Sequence, residues 1–163
     1  MPLFKDLIES FRYTNHIWPV FLLRLYVAYY FISDSLYRQA VGYLEKPLLS
    51  AQIDESLLRL EQAPFFVKSF YIGVIQENWL IWSKLLISFE WVIGISLVVG
   101  VLVRPVGILA LIHIYLISFI AVQNEVSGLN QIGVMLVFLI LFGAGRVGGL
   151  DYFFYKRQRG LIW

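Results

Sequence analysis

Residues 79–103 read WLIWSKLLISFEWVIGISLVVGVLV, a run in which Lys84 and Glu90 are the only charged residues. At 1.5 Å rise per residue, about 20 such residues cross the roughly 30 Å of hydrocarbon in a bilayer. The stretch therefore predicts a membrane span, with Glu90 set inside it. Working outward, three further apolar runs have matching length: Ile17 to Tyr37, Pro105 to Val122, and Leu129 to Ala144. The expected fold is an all-α membrane protein, a four-transmembrane-helix bundle forming a single domain over residues 1–163. Arg104-Pro105 supplies a short reversal between the second and third spans, and residues 123–128 supply another before the fourth.

Composition supports a bilayer. Hydrophobic residues make up 60% of the 163 and charged residues 15%, where soluble domains average about 45–50% and about 25%; the mean hydropathy is +0.74. Aromatic residues reach 17%, and amphipathic rings favour the headgroup region. A net charge of +2 lacks the basic excess that nucleic-acid binding needs. With no cysteine, thiol, disulfide, iron–sulfur and Cys-ligated zinc chemistry are excluded. The first apolar run is longer than a signal core and carries Arg24, which predicts a retained span.

Two regions outside the spans are amphipathic. Leu3, Phe4, Leu7, Ile8 and Phe11 fall at helical spacing opposite Lys5, Asp6, Glu9 and Arg12, predicting an N-terminal interfacial helix. Residues 41–78 carry charges throughout, but Ile53, Leu57 and Leu60, then Phe65, Phe66, Phe70 and Ile72, predict two short amphipathic helices parted at Pro64. Basic residues prefer the cytoplasmic side. Lys5, Arg12, Arg104, Arg146, Lys156, Arg157 and Arg159 gather on one side, while the 41–78 loop has more acids than bases and the 123–128 turn has only Glu125. Both termini are therefore expected in the cytoplasm, with 41–78 as an extracytoplasmic cap.

Ionisable groups within hydrocarbon are costly, so they usually face the bundle and have partners. Counted from each helix's cytoplasmic end, Arg24 lies about 10 Å deep, His113 about 12 Å and Glu90 about 20 Å. This predicts an Arg24–Glu90 pair with His113 beside it. Two readings stand: the pair fixes helix register, or it lines a ligand-binding pocket for a polar headgroup such as a quinone carbonyl. Asp34 and Lys84, both about 25–29 Å deep, form a second expected pair, and Asn130 and Gln131 begin the fourth span near that level. Arg146 complements the dipole at the end of the fourth helix, and Asp151 is expected to salt-bridge Arg104 or Arg146. Tyr26, Tyr29, Tyr30 and Phe31 suit packing or lipid contact, or alternatively a flat ligand. No metal site is expected: the sequence has no paired-histidine motif, and His16 lies outside the spans.

Several segments carry a resemblance. Leu23-Arg24-Leu25 opens the first span, Glu90 precedes Gly94 through Pro105, and Phe142-Gly143-Ala144-Gly145-Arg146-Val147-Gly148-Gly149-Leu150-Asp151 closes the fourth. In order and spacing, over about residues 17–151, they resemble the DoxX-like membrane proteins, a family that includes the DoxD subunit of thiosulfate:quinone oxidoreductase. Ala144 stands where the family often has proline, Ser33 to Arg38 replace the usual glycine and lysine late in the first span, and the 41–78 loop is longer. The resemblance implies a multi-pass protein of the inner (cytoplasmic) membrane associated with a quinone-linked oxidoreductase or larger respiratory complex. Its implied role is assembly or anchoring, without independent catalysis or a covalently bound cofactor. Its implied partners are lipids and other membrane protein subunits. The alternative is a quinone-binding oxidoreductase subunit with its pocket around Arg24 and Glu90.

Overall fold

A computed structural model of the protein describes residues 18–121, 123–146 and 149–151. The expected interfacial helix at residues 3–11, His16, the side chain of Arg146, and Lys156, Arg157 and Arg159 lie outside the described residues. Among those described, the chain is all helix and turn, with no strand. Four long helices are α1 (Trp18–Val41), α5 (Trp79–Val99), α6 (Val103–Ser118) and α7 (Gln123–Phe142). Between α1 and α5 lie α2 (Leu48–Glu55), α3 (Leu57–Gln62) and α4 (Phe65–Phe70), the last continuing into a π-helical turn at Tyr71–Ile75.

The helix ends follow local chemistry. Gly100 ends α5 in the left-handed region at φ +71°, where a side chain would be strained. Pro105 sits in the first turn of α6, two residues earlier than the sequence placed that helix, because the first turn needs no donor from it. Gln123 to Gly128, expected as a loop, instead form the first turns of α7.

α1 and α5 pack antiparallel, with Gly94 against Ile32 and the Ala28 carbonyl. The main core joins Val27, Ala28 and Phe31 of α1 to Ile93 and Leu97 of α5, Ala110 and Ile114 of α6, and Leu136 and Leu139 of α7. Around this apolar core, buried polar groups occur together with an apolar exterior. Arg24, Ser35, Arg38, Ser83 and Glu90 are buried, whereas Tyr29, Ile81, Val92, Ile95, Ile112, Val134 and Leu141 are exposed. Such a continuous apolar exterior needs covering. α5 and residues 125–142 of α7 are each long and apolar enough to cross a membrane; α6 is apolar but 16 residues long.

The segment before α5 builds a second core from Leu49, Ile53, Leu60, Val67, Tyr71 and Ile75, closed by Ile120. It lies over the C-terminal end of α6 and the turn that follows, where the regular helical donors run out. The Tyr71 hydroxyl donates to the Leu116 carbonyl at 2.7 Å, Gln52 Nε2 to Ile120 at 3.2 Å, and Arg59 to Ala121. Burial pushes the Tyr71 phenol above its ordinary pKa, which keeps it a donor.

Candidate functional site

The buried carboxylate of Glu90 is the centre of the candidate site. It lies on the inward face of α5, seven residues after Ser83 and four before Gly94, and is wholly buried. Glu90 Oε1 ion-pairs with the Arg38 guanidinium, 3.2 Å from Nε, and meets His113 Nε2 at 3.3 Å. Arg38 reaches down from the last turns of α1 and also pairs with Asp34 one turn earlier, at 2.9 Å. The Arg38 guanidinium stands 5.3 Å from the Tyr43 ring centroid, and the His113 ring lies against Phe89 and Phe31. Glu90 Oε2 is buried with no hydrogen-bond partner among the described residues.

Two cavities flank this chain of charges. An apolar cavity of 340 Å³ lies between α5 and α6 under the cap, lined by Tyr71, Trp82, Leu86, Phe89, His113 and Leu116 among others. Leu85, Leu109 and Ile112 border it and are themselves exposed, so its mouth opens on the apolar exterior. A polar cavity of 510 Å³ lies between α1, α2 and the start of α7, lined by Tyr30, Asp34, Arg38, Tyr43, Glu55 and Glu125 among others. There the Tyr43 hydroxyl donates to Gln52 Oε1 at 2.8 Å, and burial raises its pKa. Arg38 borders the polar cavity and His113 the apolar one. Glu90 joins them.

The structure brings Glu90 and His113 together but not Glu90 and Arg24. Arg24 lies level with Gly100, since a Cβ built there would stand 2.5 Å from Arg24 Nη1. That level is ten residues from Glu90, about 15 Å along the axis. Counting depth from Ile17 and Val103 as equivalent edges misaligns the two helices, because α1 extends about 10 Å past the end of α5. Arg38, missed by that count, falls within reach once α1 continues to Val41, and its side chain leans back toward the helix N-terminus. The i,i+4 spacing of Asp34 and Arg38 was the available signal. Asp34 therefore pairs with Arg38 rather than Lys84, which is exposed on α5.

At the other end of the bundle, Arg24 Nη1 donates to the Ala144 carbonyl at 2.8 Å. The Asp151 carboxylate, expected to salt-bridge Arg104 or Arg146, accepts from the backbone of Leu102 at 2.7 Å and Val103 at 3.0 Å, capping α6; the Arg146 side chain lies outside the described residues. Leu102 holds a left-handed φ of +53° there. The Arg104 guanidinium lies beside Gly143. Among the described residues no group of histidine and acidic side chains has the arrangement of a metal site.

No protein-family model matches the sequence, and no curated protein or solved structure shows significant similarity to it.

Proposed function

We propose that α1, α5, α6 and α7 form a four-span bundle in the inner (cytoplasmic) membrane, with both termini cytoplasmic and α2 to α4 as an extracytoplasmic cap. In this reading the chain is a DoxX-like subunit of a quinone-linked oxidoreductase, and its own contribution is to hold a quinone-class lipid. The apolar exterior around buried charges supports the bundle. The observation that carries the ligand is His113: it is set in the wall of an apolar cavity that opens on the exterior, and it is held by a buried, ion-paired glutamate. A volume of 340 Å³ suits a small headgroup with part of its tail.

The residues divide the work. Glu90 fixes the imidazole ring and its tautomer, Arg38 offsets the charge of Glu90, and Phe89, Trp82 and Leu86 exclude water from the headgroup. A bound quinone would supply the electron-carrying group that a chain without cysteine lacks. Electrons then come from a partner subunit, which accounts for both the accessory role and the pocket.

Purification in gentle detergent or nanodiscs, followed by extraction and mass spectrometry of bound lipid, tests the proposal. The native chain is expected to retain quinone. His113→Leu, which removes both the donor to the headgroup and the hydrogen bond to Glu90, is expected to reduce the retained quinone about tenfold in the fraction that stays folded, with a stability loss of about 1–3 kcal/mol. Recovery with redox subunits but without quinone in the native chain overturns the pocket and leaves the anchoring role alone.

Orientation has its own test. The chain has no cysteine, and Glu61 is exposed on α3. Glu61→Cys is expected to react with a membrane-impermeant maleimide added outside intact cells. Reaction only after access to the cytoplasm reverses the topology.

A further inference from the structure

The outward face of α7 carries two carboxamides where lipid is expected. Asn130 and Gln131 are exposed and lie within the 125–142 stretch that is long and apolar enough to cross a membrane. Their side chains join no described residue by a hydrogen bond. Measured along the axis, they stand about 8 Å and about 9 Å past Glu125. Val134, Phe138 and Leu141 continue the same face and are exposed, while Ile132, Leu136 and Leu139 turn inward to the core. In hydrocarbon, an amide that meets no partner is unfavourable, and such residues commonly hydrogen-bond across helices.

Beside the amides runs a shallow groove of 550 Å³ between α1 and α7, lined by Leu23, Asn130, Gln131, Val134, Met135 and Phe138. No charged side chain lines it, so an ion-pairing partner has nothing to meet there. We propose that this face is where two copies of the chain pair in the membrane. A two-fold contact requires a patch that complements itself. A primary carboxamide does so, since it donates and accepts through the same group. The ridge of Val134 and Phe138 and the hollow alongside give each copy both halves of the fit. This pairing rests on α7 being a span and is independent of the ligand assigned to His113.

Because the chain contains no cysteine, single-cysteine cross-linking in native membranes reads the contact directly. Gln131→Cys is expected to give, on mild oxidation, a disulfide-linked species of twice the 18.9 kDa chain mass. Ile95→Cys, exposed on the outward face of α5, is expected to give several-fold less. In reconstituted vesicles, energy transfer between labelled copies of Asn130→Leu/Gln131→Leu is expected to show dimerisation weakened about tenfold on lipid dilution. Equal cross-linking at Gln131→Cys and Ile95→Cys, an adduct of a mass other than twice the chain, or an unchanged dilution curve overturns the proposal. Should the double leucine variant fail to fold, the cysteine pair still decides.

Discussion

Glu90→Leu is expected to destabilise the bundle by about 2–3 kcal/mol, because the nearly buried Arg38 guanidinium then keeps Asp34 but faces an apolar side chain on α5, and His113 loses its partner. Arg38→Leu/Glu90→Leu is expected to recover most of that loss. With both charges gone the desolvation cost disappears with the attraction, and replacing a buried pair by hydrophobic groups is often near neutral. Asp34, left without Arg38, is less buried than Glu90 and borders the polar cavity, where its charge is tolerated. Unfolding by denaturing detergent in mixed micelles, run on the two single variants and the double, yields the coupling between the sites. A double variant as unstable as the sum of the singles contradicts a direct pair.

A second large effect is expected at a residue without a side chain. A Cβ at Gly145 would stand 2.6 Å from Asp151 Cγ, so Gly145→Ala drives the carboxylate from its place at the start of α6. The backbone N–H groups of Leu102 and Val103 then lose their acceptor, and that loss is expected to cost about 2–3 kcal/mol. Asp151→Ala removes the same acceptor without the clash. The two variants are expected to show losses of the same order, and the double variant clearly less than their sum, since both act on the same carboxylate. Additive losses under the same denaturation assay contradict this account.

How far the sequence revealed these arrangements depended on the kind of signal. The long apolar runs located α1, α5, α6 and α7 because hydropathy and length are local properties. The amphipathic spacing of Ile53, Leu57 and Leu60 likewise located the helices of the cap. Contact partners were less legible. The pairing of Glu90 with His113 is legible because both lie on helices joined by a short connection, residues 100–102, which sets their relative level. The sequence points Arg24 at Glu90 because nothing in a hydropathy profile reveals how far α1 overhangs α5, and a register shift of about four residues takes Arg24 out of reach. Asp151 was expected in a salt bridge because a charged residue near arginines suggests one. Its role as a helix cap depends on the chain folding back across the α5–α6 turn, where Gly100 and Gly149 allow backbone to approach backbone, a long-range event with no local mark.

The donors that the cap directs at α6 bear on bilayer thickness. At 16 residues, α6 is about 24 Å long, some 6 Å short of a typical hydrocarbon core. A short helix ordinarily forces the lipid to thin around it or draws water in to reach its terminal carbonyls. Here Tyr71 reaches the Leu116 carbonyl in the last turn of α6, and Gln52 and Arg59 reach the Ile120 and Ala121 carbonyls just beyond it, all from the protein side. If α6 is a span of the proposed bundle, the cap supplies what the missing turn would, and the fit of that helix is decoupled from the thickness of the membrane around it.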